Sequence, residues 1–161
     1  MNTIYLILGS NLGDTSVHLS NAKAHIELKV GTIVKSSSTY HSPPWGFEDA
    51  NDFVNRVLVV ESHLSAHQVL SVILQIEEDL GRKRSAENGY QSRVIDIDIL
   101  FFNEEIIYDD SLIIPHPRLH ERRFTLLPLN EVEENLIHPE LKLPVWKLLL
   151  NCTDRSAVIK I

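Results

Sequence analysis

Residues 93–102 read Arg93-Val94-Ile95-Asp96-Ile97-Asp98-Ile99-Leu100-Phe101-Phe102. Isoleucine and aspartate alternate from 95 to 99, so an extended chain here has one aliphatic face and one face carrying two carboxylates, the period-2 signature of a strand. Upstream, Thr3-Ile4-Tyr5-Leu6-Ile7-Leu8 is a short apolar β-type run ended by the turn formers Gly9-Ser10-Asn11-Leu12-Gly13-Asp14. From about Asp14 to Lys29, Val17, Ala22, Ile26 and Leu28 fall among good helix formers without alternation, which predicts a helix. Gly31 to Tyr40 and Phe53 to Leu64 hold the β-branched residues of two strands. The two prolines and the glycine of Ser42-Pro43-Pro44-Trp45-Gly46-Phe47 exclude a regular element between them. Ser65 then caps a helix whose Val69, Leu70, Ile73, Ile76 and Leu80 recur at helical spacing, and Gly81 stands where a terminal glycine belongs.

With residues 93–102 as the last member, the order is strand, helix, strand, strand, helix, strand. That is the split order of an α+β, ferredoxin-like βαββαβ sandwich with helices over one sheet face. A C-terminal extension follows, with a short strand at Ile106-Ile107-Tyr108, a loop holding Pro115 and Pro117, and a helix from near Pro144.

The 161 residues suit a single domain over 1–161, and 43% apolar with 23% charged residues is globular composition. Fifteen Lys and Arg against 22 Asp and Glu give a net charge of -7, which opposes nucleic acid and anionic membranes as partners. The lone Cys152 excludes an internal disulfide framework and a CxxC motif. No Lys or Arg precedes Lys23, and Ile4 to Leu8 is too short for a signal peptide or membrane span, so the expected location is the cytoplasm.

Asp96 and Asp98 leave the same face of their strand with Cα atoms ~6.6 Å apart at ~3.3 Å per residue. Carboxylates so placed suit divalent cations shared with phosphate oxygens; the plain alternative is a solvated outer face of an edge strand. Arg82, Lys83, Arg84, Arg93, Arg118, Arg122 and Arg123 flank the pair, seven of the 15 basic residues in two short stretches. In an acidic chain that concentration points to a small polyanion and to nucleotide-dependent phosphoryl transfer. No Gly-x-x-x-x-Gly-Lys-Ser/Thr loop exists to hold ATP. His63 with His67, and His116 with His120, share i, i+4 spacing but lack a third zinc ligand. Asn55 interrupts an apolar strand two residues after Phe53 on the same face, which fits a heterocycle stacked on the ring and bonded to the amide, or else a structural asparagine. Glu77 by itself reads as an exposed helix charge.

These pieces resemble the 6-hydroxymethyl-7,8-dihydropterin pyrophosphokinase family. The matching residues are Gly9-Ser10-Asn11-Leu12, Tyr40-His41-Ser42-Pro43-Pro44, Phe53-Val54-Asn55, Glu77 with Gly81-Arg82, Arg93 through Leu100, Pro115-His116-Pro117-Arg118 and Arg122-Arg123-Phe124, in family order over residues 4 to about 140. The resemblance implies transfer of the terminal two phosphates of ATP to the pterin's hydroxymethyl oxygen, with attack at the β-phosphorus and AMP leaving. It implies two Mg²⁺ ions on Asp96 and Asp98, and phosphate contacts from Arg82, Arg93, His116 and Arg122, the first two in or beside a loop that closes over the nucleotide. Leu70 and Glu77 would meet the nucleotide from the second helix. Asn55 would read the pterin edge with groups around Ser42, Pro43, Pro44 and Trp45, while Phe53 and Phe124 enclose its ring. A monomer acting on small molecules is the family expectation. Trp45 replaces a smaller apolar residue of some relatives, Pro117 stands where others have an aromatic, and Tyr90 is expected to replace a loop tryptophan. An RNA-recognition module of the same element order would present aromatics where this strand presents carboxylates, and a regulatory ligand domain would not need them.

Overall fold

The computed structural model describes residues 1–45, 51–82 and 93–161. Tyr90, Lys83 and Arg84 lie outside the described residues.

Strand β1 (Asn2–Ser10) lies in the interior of the sheet, and its residues from Ile4 onward are buried on both faces. It pairs antiparallel with β4 (Phe53–Ser62) on one side and β5 (Asp96–Phe102) on the other. On the far side of β4 lie β2 (Thr32–Ser36) and β3 (Tyr40–Ser42), and β3 in turn pairs with β8 (Ile159–Lys160). A small hairpin, β6 (Ile107–Tyr108) with β7 (Ile113–Ile114), stands apart.

Helices α1 (Thr15–Lys29) and α2 (Ala66–Asp79) cover one face of this antiparallel sheet, and the α+β order expected from the sequence is the order found. Asp14 caps α1 through Val17 N, and Ser65 with Gln68 forms a capping box on α2. Ile4, Leu6, Leu8, Ile97 and Ile99 pack with Ile26, Val69, Ile73 and Ile76 of these helices.

The opposite face is covered as well. Helices α3 (Arg123–Glu133) and α4 (Val145–Asn151) bury Leu126, Leu129, Val145 and Leu148 against Tyr5, Ile7, Val57, Val59 and Phe101. The sheet is therefore sandwiched, where the sequence reading placed helices on one face only. Helix α3 escaped that reading because Pro128 interrupts it and withdraws one backbone donor.

Three other boundaries differ. Gly9 and Ser10, read as the start of a loop, continue β1 opposite Asn55 and Val54. The single strand expected over 31–40 is divided at Ser37, whose Oγ accepts from Val57 N at 2.9 Å while its own N–H donates to Val57 O. A serine hydroxyl so placed takes over a ladder position from the backbone and breaks the strand. In β5, Leu6 faces Ile99 and Tyr5 faces Phe101, so Leu100 is the extra residue of a bulge that ends the strict alternation. No described helix is long and apolar enough to cross a membrane.

Candidate active site

The end of β1 organises the site. Gly9 lies between Asn55 of β4 and Asp96 of β5, and two residues earlier Ile7 lies between Val57 and Asp98. Side chains of these two rows rise from the α3 side of the sheet. Gly9 leaves a hollow in its row: a Cβ there would stand 3.1 Å from Asn55 Oδ1 and 3.8 Å from Phe53 Cδ1.

Over that hollow opens a cleft walled by Pro43, Trp45, Phe53 and Phe124, with Ser42 and Asn55 among its polar groups. Aromatic walls with a few convergent polar groups are the makings of a site for a flat heterocycle. Asn55 is only 3% exposed, and its Nδ2 donates to Ser42 Oγ at 2.9 Å, leaving Oδ1 on the Gly9 side. Of the residues expected around the ring, Pro44 alone does not line the cleft.

A second, wider cleft runs between α2 and the segment around β7. Leu70 and Glu77 line one side, Ser111 and Leu112 the other, with Arg82 and Arg118 at the rim. Arg93, Asp96, Asp98, His116 and Arg122 belong to both clefts. The carboxylates thus stand at the junction, and not on the solvated strand face that was their plain alternative.

Glu77 corrects the sequence reading most sharply. It is 2% exposed, and its Oε2 accepts from Ile97 N at 2.9 Å and from Arg82, so α2 is tied to β5 by a buried carboxylate. Arg82 also donates to Asp96 Oδ1 at 2.8 Å, and Arg93 to Asp96 Oδ2 at 2.7 Å. Burial, then the neighbouring charges of Asp96 and Glu77, push Asp98 up to about 7. Glu77 is raised to about 7 by burial and by Asp96, against the opposing Ile97 and Arg82 bonds. Glu77 and Asp98 are thus both raised by burial and by the carboxylates beside them, an excess of negative charge that the neighbouring arginines do not cancel.

That excess is the test for a divalent cation. Two carboxylates on one strand face, with phosphate oxygens to complete the shell, match how Mg²⁺ is held in nucleotide sites. Among the described residues no three or more His, Cys, Asp or Glu form a protein-only metal cage. The donor set fits a cation shared with a ligand.

His116 is held neutral, its value lowered to about 4 by burial and then by Arg122. Its Nδ1 accepts from Arg118 N at 3.1 Å, which assigns the proton to Nε2. Arg122 lies 4.7 Å above the Trp45 ring centre and 5.6 Å from that of Phe124. Sequence reasoning used Asn11 only as part of a motif. The structure gives it work: Oδ1 accepts from Arg93 N at 2.6 Å, its N–H donates to Arg93 O at 3.0 Å, and Nδ2 donates to Asn51 O at 3.3 Å. Asn11 is 2% exposed, and nothing local in the sequence sets it apart from the other turn formers of residues 9–14.

Fold and site together define a ferredoxin-like α+β protein in which an aromatic-walled cleft and a wider cleft meet at two carboxylates. The profile of the 7,8-dihydro-6-hydroxymethylpterin-pyrophosphokinase family matches residues 5–134. The chain belongs to that family, the enzymes of folate biosynthesis that transfer a pyrophosphoryl group to hydroxymethyldihydropterin. A 2-amino-4-hydroxy-6-hydroxymethyldihydropteridine pyrophosphokinase of Bacillus subtilis is 41% identical over 132 residues, covering 81% of this chain and 78% of that one. The folic acid synthesis protein FOL1 of Dictyostelium discoideum is 41% identical over 150 residues, 93% of this chain but 22% of that protein. A Plasmodium falciparum HPPK-DHPS crystal structure superposes with a TM-score of 0.77 at 20% identity, over 92% of this chain and 44% of that one, a likeness of fold.

Proposed function

We propose that residues 1–161 act as one domain, a cytoplasmic monomer that moves the terminal pyrophosphoryl group of ATP onto the hydroxymethyl oxygen of 6-hydroxymethyl-7,8-dihydropterin and releases AMP. The observation that carries this reading is the meeting, at Asp96 and Asp98, of an aromatic-walled cleft and a second cleft lined by Arg82, Arg93, Arg118 and Arg122 together with carboxylates.

In this reading Asn55 and Ser42 hold the pyrimidine edge of the pterin, and Phe53 and Phe124 fix the ring plane so that the hydroxymethyl group points to the carboxylates. Leu70 and Glu77 bound the nucleotide on the α2 side. Arg82, Arg93 and Arg122 place positive charge along the polyphosphate, and neutral His116 donates a hydrogen bond from Nε2. The pterin oxygen forms a bond to the β-phosphorus as the bond from that phosphorus to the bridging oxygen breaks, the bridging oxygen leaves with AMP, and the hydroxyl proton passes to water. No protein nucleophile takes part. Asp96 and Asp98 would hold two Mg²⁺ ions, which supply neutralisation of charge on the transferring group.

AMP release from ATP, measured with and without 6-hydroxymethyl-7,8-dihydropterin and with Mg²⁺ present or chelated, tests the reading. AMP formed only when both pterin and Mg²⁺ are present is the expected result. ADP as product, or AMP formed without pterin, overturns the reaction; undiminished turnover under chelation overturns the metal assignment.

A further inference from the structure

Trp45 lines the aromatic-walled cleft, and the guanidinium groups of two arginines lie over its ring. The Arg122 guanidinium carbon is 4.7 Å from the indole centre and that of Arg118 is 5.9 Å away. Phe124, 5.6 Å from the same Arg122 carbon, gives the guanidinium a second ring. Arg122 lines both clefts, whereas Arg118 lines only the wider one. Two cations at one indole repel each other, so the ring's attraction for them must be set against that repulsion, and both are partly offset when an anion lies between them.

We propose that Trp45 is a positioning residue for the polyphosphate: its indole, with the ring of Phe124, holds Arg122 at the border of the two clefts. A heterocycle packed against the same two aromatic side chains then restrains the arginine that faces the phosphates. A leucine at position 45 keeps an apolar side chain at the cleft but offers no π face.

This inference rests on the functional reading, since it takes the phosphates of ATP as the anion. It is tested by titrating the Mg²⁺ complex of a non-hydrolysable ATP analogue, without pterin, into the wild type, Trp45→Leu, Trp45→Phe, Arg122→Ala and the Trp45→Leu/Arg122→Ala double variant. A loss of affinity of roughly 3- to 30-fold is expected for Trp45→Leu. Partial recovery is expected in Trp45→Phe, and no further loss when Trp45→Leu is added to Arg122→Ala. Unchanged analogue affinity in Trp45→Leu overturns the proposal, as does an equal fold-loss in the Arg122→Ala background. Should Trp45→Leu fail to melt cooperatively, Trp45→Phe carries the same comparison. A Trp146→Phe background leaves Trp45 as the sole tryptophan of the two in the chain. Its emission should change on analogue binding, and the change should vanish with Arg122→Ala; a change that persists there counts against the proposal. Coupling between Trp45 and Arg122 in a protein that releases no AMP would sink the functional reading and leave the positioning role standing.

Discussion

Gly9 occupies the one position of the β1 row where a side chain would fill the floor between Asn55 and Asp96. Gly9→Ala brings a methyl to 3.1 Å from Asn55 Oδ1, so the amide must give by a few tenths of an ångström. The expected outcome is about a tenfold rise in KM for the pterin with KM for ATP little changed, checked by steady-state kinetics. At Asp98 the carboxylate is raised by burial and by Asp96 and Glu77. Asp98→Asn should therefore lower transfer by roughly 10³-fold or more while leaving the metal-free melting temperature at pH 8 equal to or above wild type. Retained turnover would remove Asp98 from the metal site. His116 shows the opposite sign, because its folded value of about 4 lies below the ordinary 6.5. Between those values the unfolded chain binds more protons, so the stability contributed by the neutral imidazole is complete above about pH 6.5 and lost as pH falls to about 4. Urea unfolding at pH 7.5 and 4.5 should show His116→Gln losing up to about 3 kcal/mol less than wild type over that interval.

At the scale of elements, Glu77 is the tie between α2 and β5. Glu77→Ala removes the acceptor of Ile97 N and one partner of Arg82, and should cost about 1–3 kcal/mol in urea unfolding, whereas Glu77→Gln keeps an acceptor and should recover most of it. Equal losses in the two variants would show that the tie contributes little. Helix α2 was legible from its Ser65 cap, its 3–4 spacing and Gly81, all local signals. The burial of Glu77 was not, since a carboxylate on a helix is ordinarily exposed and only the approach of β5 puts it inside. Helix α3 and the division at Ser37 stayed hidden for a related reason: long-range packing overrides Pro128 in one, and a hydroxyl from Ser37 replaces a ladder bond in the other.

For the molecule as a whole, the C-terminal layer turns a two-layer sandwich into three. Leu148, 5% exposed, packs into the core formed with Tyr5, Val57 and Phe101. Leu148→Ala should destabilise by about 2–4 kcal/mol in thermal or urea unfolding, as for other buried leucines. A loss below about 0.5 kcal/mol would mean that α4 is not part of the cooperative core. This layer also delivers Arg122 and Phe124 at the start of α3, where they meet Trp45 over the β1 row.

The sequence by itself determined a strand over 93–102, which the structure starts at Asp96, the βαββαβ order apart from the division at Ser37, the carboxylate face and the concentration of arginines, because period-2 alternation, capping and charge are local properties of the chain. Tertiary structure alone decided that Gly9 is a floor, that Glu77 is buried, that Asn11 anchors Arg93, and that two clefts share Asp96 and Asp98. Each of those depends on residues far apart in sequence brought together by the β4–β1–β5 register and by helices on both faces, which no local pattern encodes.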